Sequence, residues 1–455
     1  MRILLTCFAL FVALSSPALT VEPVSDRIVV LISLDGLAHY YFDDPKAEMP
    51  TIRHLAAEGS RGEKMRAVIP TVTWPNHTSI VTGDLPIRHG VLGNTLFDRE
   101  KSESIPLIWD PLLDKDQIIK VPTIYDVAKQ AGLKTAAVTW PGSRNAKSLD
   151  WTVPCVNKSD LFVQYTTPSL LPELKAAGIP YEDEALGFKA GQGEERDRNH
   201  VRIFNHIIHT HRPQLALLHI LEVDHVEHAH GPQSPEAYAA VRFADACVKE
   251  VLDQLEADFP GRATVFIVSD HGFRRFNRLV QPNVVLRKAG LLTAEGKKIT
   301  SSRIRSVTQG GSSMLYVSEP EHREELIKQV IPLFEGSEGI EVVIAPSKFK
   351  EYGFPTVQQD RCAPDLILSA RDGYMIADSL VGDLPVVVQD EDRGTHGYDP
   401  TVDALHATFV AWGYGIKKGQ TLPTVRNIDV APTAARLLGV SLPNPDGQVL
   451  SAILK

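Results

Sequence analysis

Long apolar runs alternate with helix-like segments through most of the chain. Residues 27–34 (RIVVLISL) form a nearly continuous apolar, β-branched run, which is typical of a strand covered on both faces. Comparable runs occupy residues 134–140, 215–221, 263–268 and 406–411. Helical patterns occupy residues 50–58, 123–131, 198–211, 234–257 and 427–438. This alternation predicts an α/β fold, a three-layer α/β/α sandwich around a mostly parallel sheet.

The pattern changes after Gly272. Residues 273–388 contain shorter segments, with a Lys/Glu-rich helix predicted at 319–333 and strands at 313–317 and 365–370. The alternation of apolar runs and helical patterns then resumes, at residues 406–411 and 427–438. We therefore predict a larger domain formed by residues 21–272 and 389–455, into which a smaller, lid-like subdomain (273–388) is inserted.

The N-terminus has the pattern of an export signal. Arg2 precedes an apolar run at 3–14, and small residues follow at 15–20. The run has about a dozen residues, whereas a membrane span needs about 20. We expect residues 1–20 to be a signal peptide, the mature chain to lack a membrane span, and the protein to be periplasmic or secreted.

Charge and cysteine content narrow the function classes. The net charge is -9 and the pI is about 6.0, with Lys and Arg scattered, so a nucleic acid polymer is not an expected partner. Cys155, Cys247 and Cys362 remain after removal of the signal peptide. An odd number permits at most one disulfide, whose pairing the sequence leaves open. Cys247 lies in a helical pattern and is expected in the core. The oligomeric state stays open.

Residues 70–94 (PTVTWPNHTSIVTGDLPIRHGVLGN) contain a candidate nucleophile. Thr73 lies between Pro70 and Pro75, which predicts a rigid turn presenting its hydroxyl. The segment has no acidic cluster and two histidines, His77 and His89, which we expect to stabilise it rather than to bind metal. Groups that activate Thr73 must therefore come from elsewhere in the chain.

Acidic residues and histidines lie beside the ends of four predicted strands. Each has an ordinary explanation: an aspartate often caps a helix, a polar helix face is often solvated, and a histidine between glycines often makes one loop hydrogen bond. Beside Asp224 and His228, which share one face of a helical turn, His225, Glu227 and His230 could serve instead. Their co-occurrence favours a site of mixed nitrogen and oxygen donors suited to zinc or a similar metal. The candidates are Asp35, Asp224, His228, Asp270, His271 and His396.

As an ordered set, these motifs resemble the nucleotide pyrophosphatase/phosphodiesterase branch of the alkaline phosphatase superfamily. The resemblance runs from about residue 27 to 438 and is weakest in 273–388. Its motifs are Asp35-Gly36, Thr73-Trp74-Pro75-Asn76, His89-Gly90, Gly93-Asn94, Asp224 with His228, Asp270-His271-Gly272 and His396-Gly397-Tyr398-Asp399.

The resemblance implies an alkaline phosphatase-like fold and two zinc ions. One zinc would be held by Asp224, His228 and His396. The other would be held by Asp35, Asp270 and His271 and bridged by Thr73, which would form a phosphothreonine intermediate. The Asn94 amide would donate to a phosphoryl oxygen. Trp74 and Tyr165 are candidate substrate contacts, although Trp74 could instead only pack beneath the nucleophile.

The implied function is metal-dependent hydrolysis of phosphodiester or pyrophosphate bonds in a small, nucleotide-like substrate. No sulfatase-type Cys/Ser-x-Pro-x-Arg motif or Asp-Ser-Ala nucleophile is present, and no arginine can be placed as a monoester clamp. One alternative is a phosphonate or lipid-headgroup phosphodiester hydrolase using the same site. Another is a non-catalytic metal- or ligand-binding exported protein, which we would expect to lack the nucleophile or a ligand.

Overall fold

The computed structural model describes residues 26–108, 113–156, 159–181 and 191–455. The predicted signal peptide lies outside these ranges. An eight-stranded sheet forms the centre, and its neighbouring strands are parallel except where the Phe409–Gly413 strand pairs with each of its two neighbours. In spatial order its strands are Gln420–Leu422, Ser60–Gly62, Phe409–Gly413, Ala263–Val268, Ile28–Leu34, Leu215–Ile220, Thr135–Val138 and Trp151–Val153. The predicted mostly parallel sheet is confirmed.

The Ile28–Leu34 strand separates two hydrophobic clusters. Val30 and Ile32 pack on one face with the helices Gly193–His211 and Pro235–Asp258. On the other face, the side chains of Val29 and Leu31 pack with the helices Ile124–Gln130 and Val430–Leu438. Because both faces are covered, all seven residues of the strand are buried. The three-layer arrangement follows the prediction.

The predicted helices are present, with shifts at their ends. In the described residues the α-helices are Pro50–Glu58, Thr73–Thr82, Pro86–His89, Lys115–Ile118, Ile124–Gln130, Ser159–Tyr165, Leu170–Ala176, Gly193–His211, Glu222–His230, Pro235–Asp258, Pro282–Lys288, Arg323–Phe334 and Val430–Leu438. Short 3-10 helices are His39–Tyr41, Pro320–His322, Pro346–Tyr352, Asp403–Leu405, Asn427–Asp429 and Ser451–Ile453. The helix predicted at 198–211 begins earlier, at Gly193, because Arg196 and Asp197 are buried through an ion pair that apolar periodicity does not detect.

Smaller sheets accompany the central sheet. A four-stranded antiparallel sheet has the order Ile304–Thr308, Ser312–Val317, Leu366–Ala370, Ile340–Ile344. A three-stranded sheet has the order Gly373–Ile376, Arg274–Val280, Val386–Thr395. The two-stranded sheets pair Leu292–Glu295 with Lys298–Ser302, Met65–Arg66 with Val425–Arg426, and Thr95–Asp98 with Glu103–Pro106. The helix and strands predicted within 273–388 are therefore present, and their grouping as an inserted subdomain stays a prediction.

The three cysteines in the described part of the chain are unbridged. Cys155, Cys247 and Cys362 are all free, and Cys247 is buried in the Pro235–Asp258 helix, as predicted. No described helix combines the length and apolar character that crossing a membrane requires.

Candidate active site

Three adjacent central strands position the predicted acidic ligands. Asp35 follows the Ile28–Leu34 strand, and Asp270 with His271 comes just after Ala263–Val268. On the other side of the first strand, Leu215–Ile220 runs into the Glu222–His230 helix, which contains Asp224. Since the strands are parallel, their carboxyl ends meet at one edge of the sheet, where α/β folds bind ligands.

The predicted ligands converge in two groups. In the first, His271 Nε2 lies 3.1 Å from Asp270 Oδ2 and 3.5 Å from Asp35 Oδ1. In the second, Asp224 Oδ1 lies 3.5 Å from Nε2 of both His228 and His396, and these two nitrogens are 3.2 Å apart. The rings of His271 and His396 stack with centroids 3.7 Å apart, so the groups are in direct contact.

Several ligand atoms are buried without an ordinary partner. Four of them make no hydrogen bond within the described part of the chain: Asp35 Oδ1, Asp224 Oδ1, Asp270 Oδ2 and His271 Nε2. Buried polar atoms are normally paired, and an unpaired buried carboxylate is costly. Bound divalent cations would satisfy these atoms.

The imidazoles are also oriented for metal binding. His228 Nδ1 donates to the carbonyl of Gly394 at 3.1 Å, and His396 Nδ1 donates to that of Thr71 at 3.0 Å. Both Nε2 lone pairs therefore remain available, and backbone carbonyls commonly fix metal-binding histidines in this way. The residues present fit a pair of transition-metal ions with nitrogen and oxygen ligands.

The pKa values reflect this crowding. Burial, reinforced by the charges of Asp270 and Asp224, raises the pKa of Asp35 well above its usual range. Burial, with the nearby imidazoles of His271 and His228, holds the pKa of His396 well below its ordinary value. A neutral imidazole is the form that binds metal, and a cation would relieve the repulsion among the carboxylates.

Two buried histidines support the first group from behind. His219 Nε2 lies 2.9 Å from Asp35 Oδ2, and its Nδ1 donates to the carbonyl of Thr139 at 3.1 Å. His77 Nδ1 donates to the carbonyl of Thr73 at 2.9 Å and lies 3.5 Å from Asp270 Oδ2. The bond to Thr73 agrees with the stabilising role expected for His77. Sequence reasoning missed His219, whose signal was a histidine inside an otherwise apolar strand, LALLHI.

Thr73 is the first residue of the Thr73–Thr82 helix, so its predicted position in a turn was wrong. Pro75 suggested a turn, but proline is tolerated in the first helical turn, where its missing N–H would have no acceptor within the helix. Thr73 is buried at a helix N-terminus, which favours developing negative charge. Its neighbour Thr71 contacts His396, and His77 contacts both Thr73 and Asp270, so Thr73 is linked to each group through a neighbouring residue.

Asn94 is held with its amide nitrogen available. Its Oδ1 accepts the backbone N–H of Trp74 at 2.9 Å, directly after Thr73. Its own backbone N–H donates to Gln309 Oε1 at 2.9 Å. Among the described contacts, Asn94 Nδ2 has no acceptor, which is the arrangement that a phosphoryl donor requires.

The two candidate substrate contacts differ in exposure. Trp74 is only 3% exposed and packs with Val91, Leu107, Ile118 and Ile119, which favours the packing alternative over stacking on a base. Tyr165 is half-buried, and the Arg144 guanidinium lies 4.6 Å from its ring centroid. Tyr165 ends the Ser159–Tyr165 helix.

A third group of metal-binding residue types, His39, Asp403 and His406, lies nearby. The Lys64 ammonium is 3.2 Å from Asp403 Oδ1, and Asp403 is largely exposed. This carboxylate therefore already has a cation partner, unlike those of the two buried groups.

The fold and the two groups describe an α/β protein with candidate metal ligands at one edge of its sheet, and comparison with known proteins identifies its family. Residues 29–399 match the family of type I phosphodiesterases/nucleotide pyrophosphatases, so the chain belongs to that family. It is 25% identical to human ectonucleotide pyrophosphatase/phosphodiesterase family member 1 over 424 residues, covering 90% of this chain and 40% of the relative. It is also 25% identical to venom phosphodiesterase from Macrovipera lebetinus over 415 residues, covering 88% of this chain and 42% of the relative.

Solved structures show the same fold. Human ectonucleotide pyrophosphatase/phosphodiesterase 5 superposes with a TM-score of 0.70 at 19% identity, covering 94% of this chain and 100% of that chain. An inactive variant of the murine protein in complex with AMP gives 0.69 at 18% identity, with the same coverage. The chain thus spans the whole of these structures, but only about two fifths of the length of the curated relatives.

Proposed function

We propose that this protein hydrolyses phosphodiester or pyrophosphate bonds in nucleotide-like substrates, with two zinc ions and a phosphothreonine intermediate. The observation that carries the proposal is the set of buried ligand atoms without a hydrogen bond, which Thr71 and His77 link to Thr73 at a helix N-terminus. The family and the names of its relatives support the reaction class. The AMP bound to the murine neighbour supports a nucleotide-like substrate.

The residues have defined roles in this reaction. Asp224, His228 and His396 would hold one zinc, and Asp35, Asp270 and His271, together with Thr73, would hold the other. Bound zinc would polarise the phosphoryl group and favour deprotonation of the threonine hydroxyl.

The Thr73 oxygen, whose proton passes to solvent, attacks phosphorus and forms the Thr73–phosphate bond as the bond to the leaving oxygen breaks. The leaving group departs as phosphate or, after taking a proton from solvent, as an alcohol. Water then hydrolyses the phosphothreonine. During both displacements, the Asn94 amide donates to a non-bridging phosphoryl oxygen, and the N-terminus of the Thr73–Thr82 helix favours the negative charge there.

The test is hydrolysis of a nitrophenyl phosphodiester by the zinc-loaded full chain. Thr73→Ala is expected to abolish turnover while retaining fold and metal content, and chelation is expected to abolish it reversibly. Normal activity in metal-free protein, or a mild effect of Thr73→Ala, would contradict the mechanism. A parallel panel of nucleoside triphosphates, dinucleotides, phosphocholine diesters and phosphonates identifies the substrate class. Preference for either of the last two would replace the nucleotide proposal with the corresponding alternative.

We also propose that the protein is exported to the periplasm or the medium, on the pattern of residues 1–20. N-terminal sequencing of the protein recovered from that compartment is expected to give a start near Val21. An intact Met1 in protein that remains in the cytoplasm would contradict export.

A further inference from the structure

We propose that Gln309 is a positioning residue that holds the backbone at Asn94, so that the Asn94 amide meets the phosphoryl group; this inference rests on the proposed function. Gln309 directly follows the Ile304–Thr308 strand in the proposed insertion and is separated from Asn94 by 215 positions in sequence. The two residues therefore meet only through tertiary folding.

The Gln309 carboxamide pairs with two consecutive backbone residues. Its Oε1 accepts the N–H of Asn94 at 2.9 Å and that of Thr95 at 3.4 Å. Its Nε2 donates to the carbonyl of Thr95 at 2.8 Å. Gln309 is only 4% exposed, so the backbone groups released by its loss would be partly sheltered from water as well as unpaired.

Close approach at Gly93 makes this pairing possible. A Cβ at Gly93 would lie 2.6 to 2.8 Å from atoms of the Gln309 carboxamide. A larger residue there would displace Gln309 from the backbone that it holds. Gly93 and Gln309 thus form a matched pair in which one residue supplies the space and the other the hydrogen bonds.

The same turn contacts a predicted metal-ligand loop. Gly311 N–H donates to the carbonyl of His396 at 2.6 Å. At Gly397, a Cβ would lie 1.8 Å from the carbonyl oxygen of Gln309. The turn at residues 309–311 is therefore packed against both the Asn94 segment and the His396 segment, and it sets the spacing between the phosphoryl donor and the metal cluster.

Loss of the pairing should reduce catalysis through Asn94. The side chain of Asn94 is fixed at one end by the N–H of Trp74, and its backbone is fixed by Gln309. Removing a donor to a developing oxyanion costs about 100- to 1,000-fold in rate, and a displacement of about 1 Å can cost about 100-fold. We expect Gln309→Leu to lower kcat/KM by about 10- to 100-fold, less than Asn94→Ala does.

The experiment compares Gln309→Leu with Gln281→Leu in the zinc-loaded full chain. Gln281 is a matched control because it is 5% exposed, lies in the same proposed insertion, and donates through Nε2 to the carbonyl of Leu384 at 2.8 Å. Amide hydrogen exchange is followed in a peptide covering residues 91–98. We expect faster exchange and lower kcat/KM in Gln309→Leu only, with zinc content unchanged in both variants.

A double-mutant cycle with Asn94→Ala separates positioning from general stability. If Gln309 acts through Asn94, Gln309→Leu has little further effect on kcat/KM in the Asn94→Ala background. Independent, multiplying effects would overturn the proposal, as would zinc loss in Gln309→Leu or unchanged exchange at residues 91–98. If Gln309→Leu does not fold, Gln309→Glu replaces it, because the carboxylate keeps the acceptor for Asn94 but lacks the donor to Thr95.

The exchange measurement needs no substrate. Wild-type protein that hydrolyses none of the phosphodiesters would contradict the proposed function, and the exchange difference would still test whether Gln309 holds the segment. Wild-type activity together with an unaffected Gln309→Leu variant would overturn the positioning role alone.

Discussion

Asp197→Asn should weaken one metal site selectively. Asp197 is fully buried in the Gly193–His211 helix, and its Oδ2 accepts the backbone N–H groups of Leu221 and Glu222, both at 2.8 Å. These donors begin the Glu222–His230 helix, which contains Asp224 and His228. The other oxygen of Asp197 accepts from Arg196 Nε at 2.9 Å.

The size of the effect follows from these contacts. An asparagine amide has one acceptor oxygen, so its NH₂ group must face either the two backbone donors or the guanidinium. Breaking a buried ion pair by removing one partner costs about 3–5 kcal/mol in stability. Loss of a group that orients metal ligands typically lowers metal affinity by about 10- to 100-fold, or about 1.4–2.8 kcal/mol. We expect Asp197→Asn to lower both the stability of the fold and the affinity for zinc.

The assay is zinc titration against competing chelators, with unfolding measured in parallel. The zinc affinity of the site proposed for Asp224, His228 and His396 should fall by about 10- to 100-fold. The site proposed for Asp35, Asp270 and His271 should keep its affinity. Asp245→Asn is the control. Asp245 accepts the N–H groups of Thr51 and Ile52 at 3.0 and 2.8 Å, at the start of the Pro50–Glu58 helix. This helix contains none of the predicted metal ligands.

Asp245→Asn should lower stability without changing zinc affinity. An Asp197→Asn variant that bound both zinc ions as tightly as the wild type would contradict this prediction, as would an equal loss of zinc affinity in Asp245→Asn.

Two further predictions concern pH and metal. Burial, with a smaller contribution from Lys120, lowers the pKa of His89 from 6.5 to about 3. As the pH falls, the His89 imidazole therefore binds a proton in the unfolded chain before it does so in the folded chain. Stability is lost as pH falls from about 6.5 towards 3, by about 1.4 kcal/mol per pH unit. In urea unfolding between pH 6.5 and 5, His89→Gln should reduce the dependence of the unfolding free energy on pH by the equivalent of about one proton. The control is His54→Gln, at an exposed helix position, which should leave this dependence unchanged. Equal pH dependences in the wild type and His89→Gln would contradict the assignment. Zinc at about 100 times its Kd should stabilise the metal-free chain by about 2.7 kcal/mol per site, seen as a rise in Tm, because it binds the folded chain, where it offsets the repulsion among Asp35, Asp224 and Asp270. An unchanged Tm would contradict the site.

Local patterns predicted much of the fold. The apolar run at 27–34 predicted a strand because a segment buried on both faces has no solvated side to mark with polar residues. The pattern at 234–257 predicted the Pro235–Asp258 helix, whose first turn Ser234 caps by accepting the N–H of Ala237. Polar residues after buried strands marked the candidate cluster, because the ends of parallel strands meet at one edge.

Where local pattern and packing conflict, the prediction was wrong or incomplete. Pro75 suggested a turn at Thr73, because a proline in the first helical turn has the same local signature as one in a turn. The strand predicted at 406–411 begins instead at Phe409, since Ala407 is drawn into isolated bridges with Ala38 and Met65. Which of these geometries forms depends on neighbours distant in the chain.

The sequence by itself determined the layer order and the candidate ligand and nucleophile residue types. Tertiary structure alone decided which distant groups contact the candidate residues: His219 lies behind Asp35, 184 positions away, and Gln309 lies against Asn94, 215 positions away. The physical reason is that periodicity reports which side of an element faces the core. A hydrogen bond between distant residues depends on atomic positions that exist only after the layers have packed.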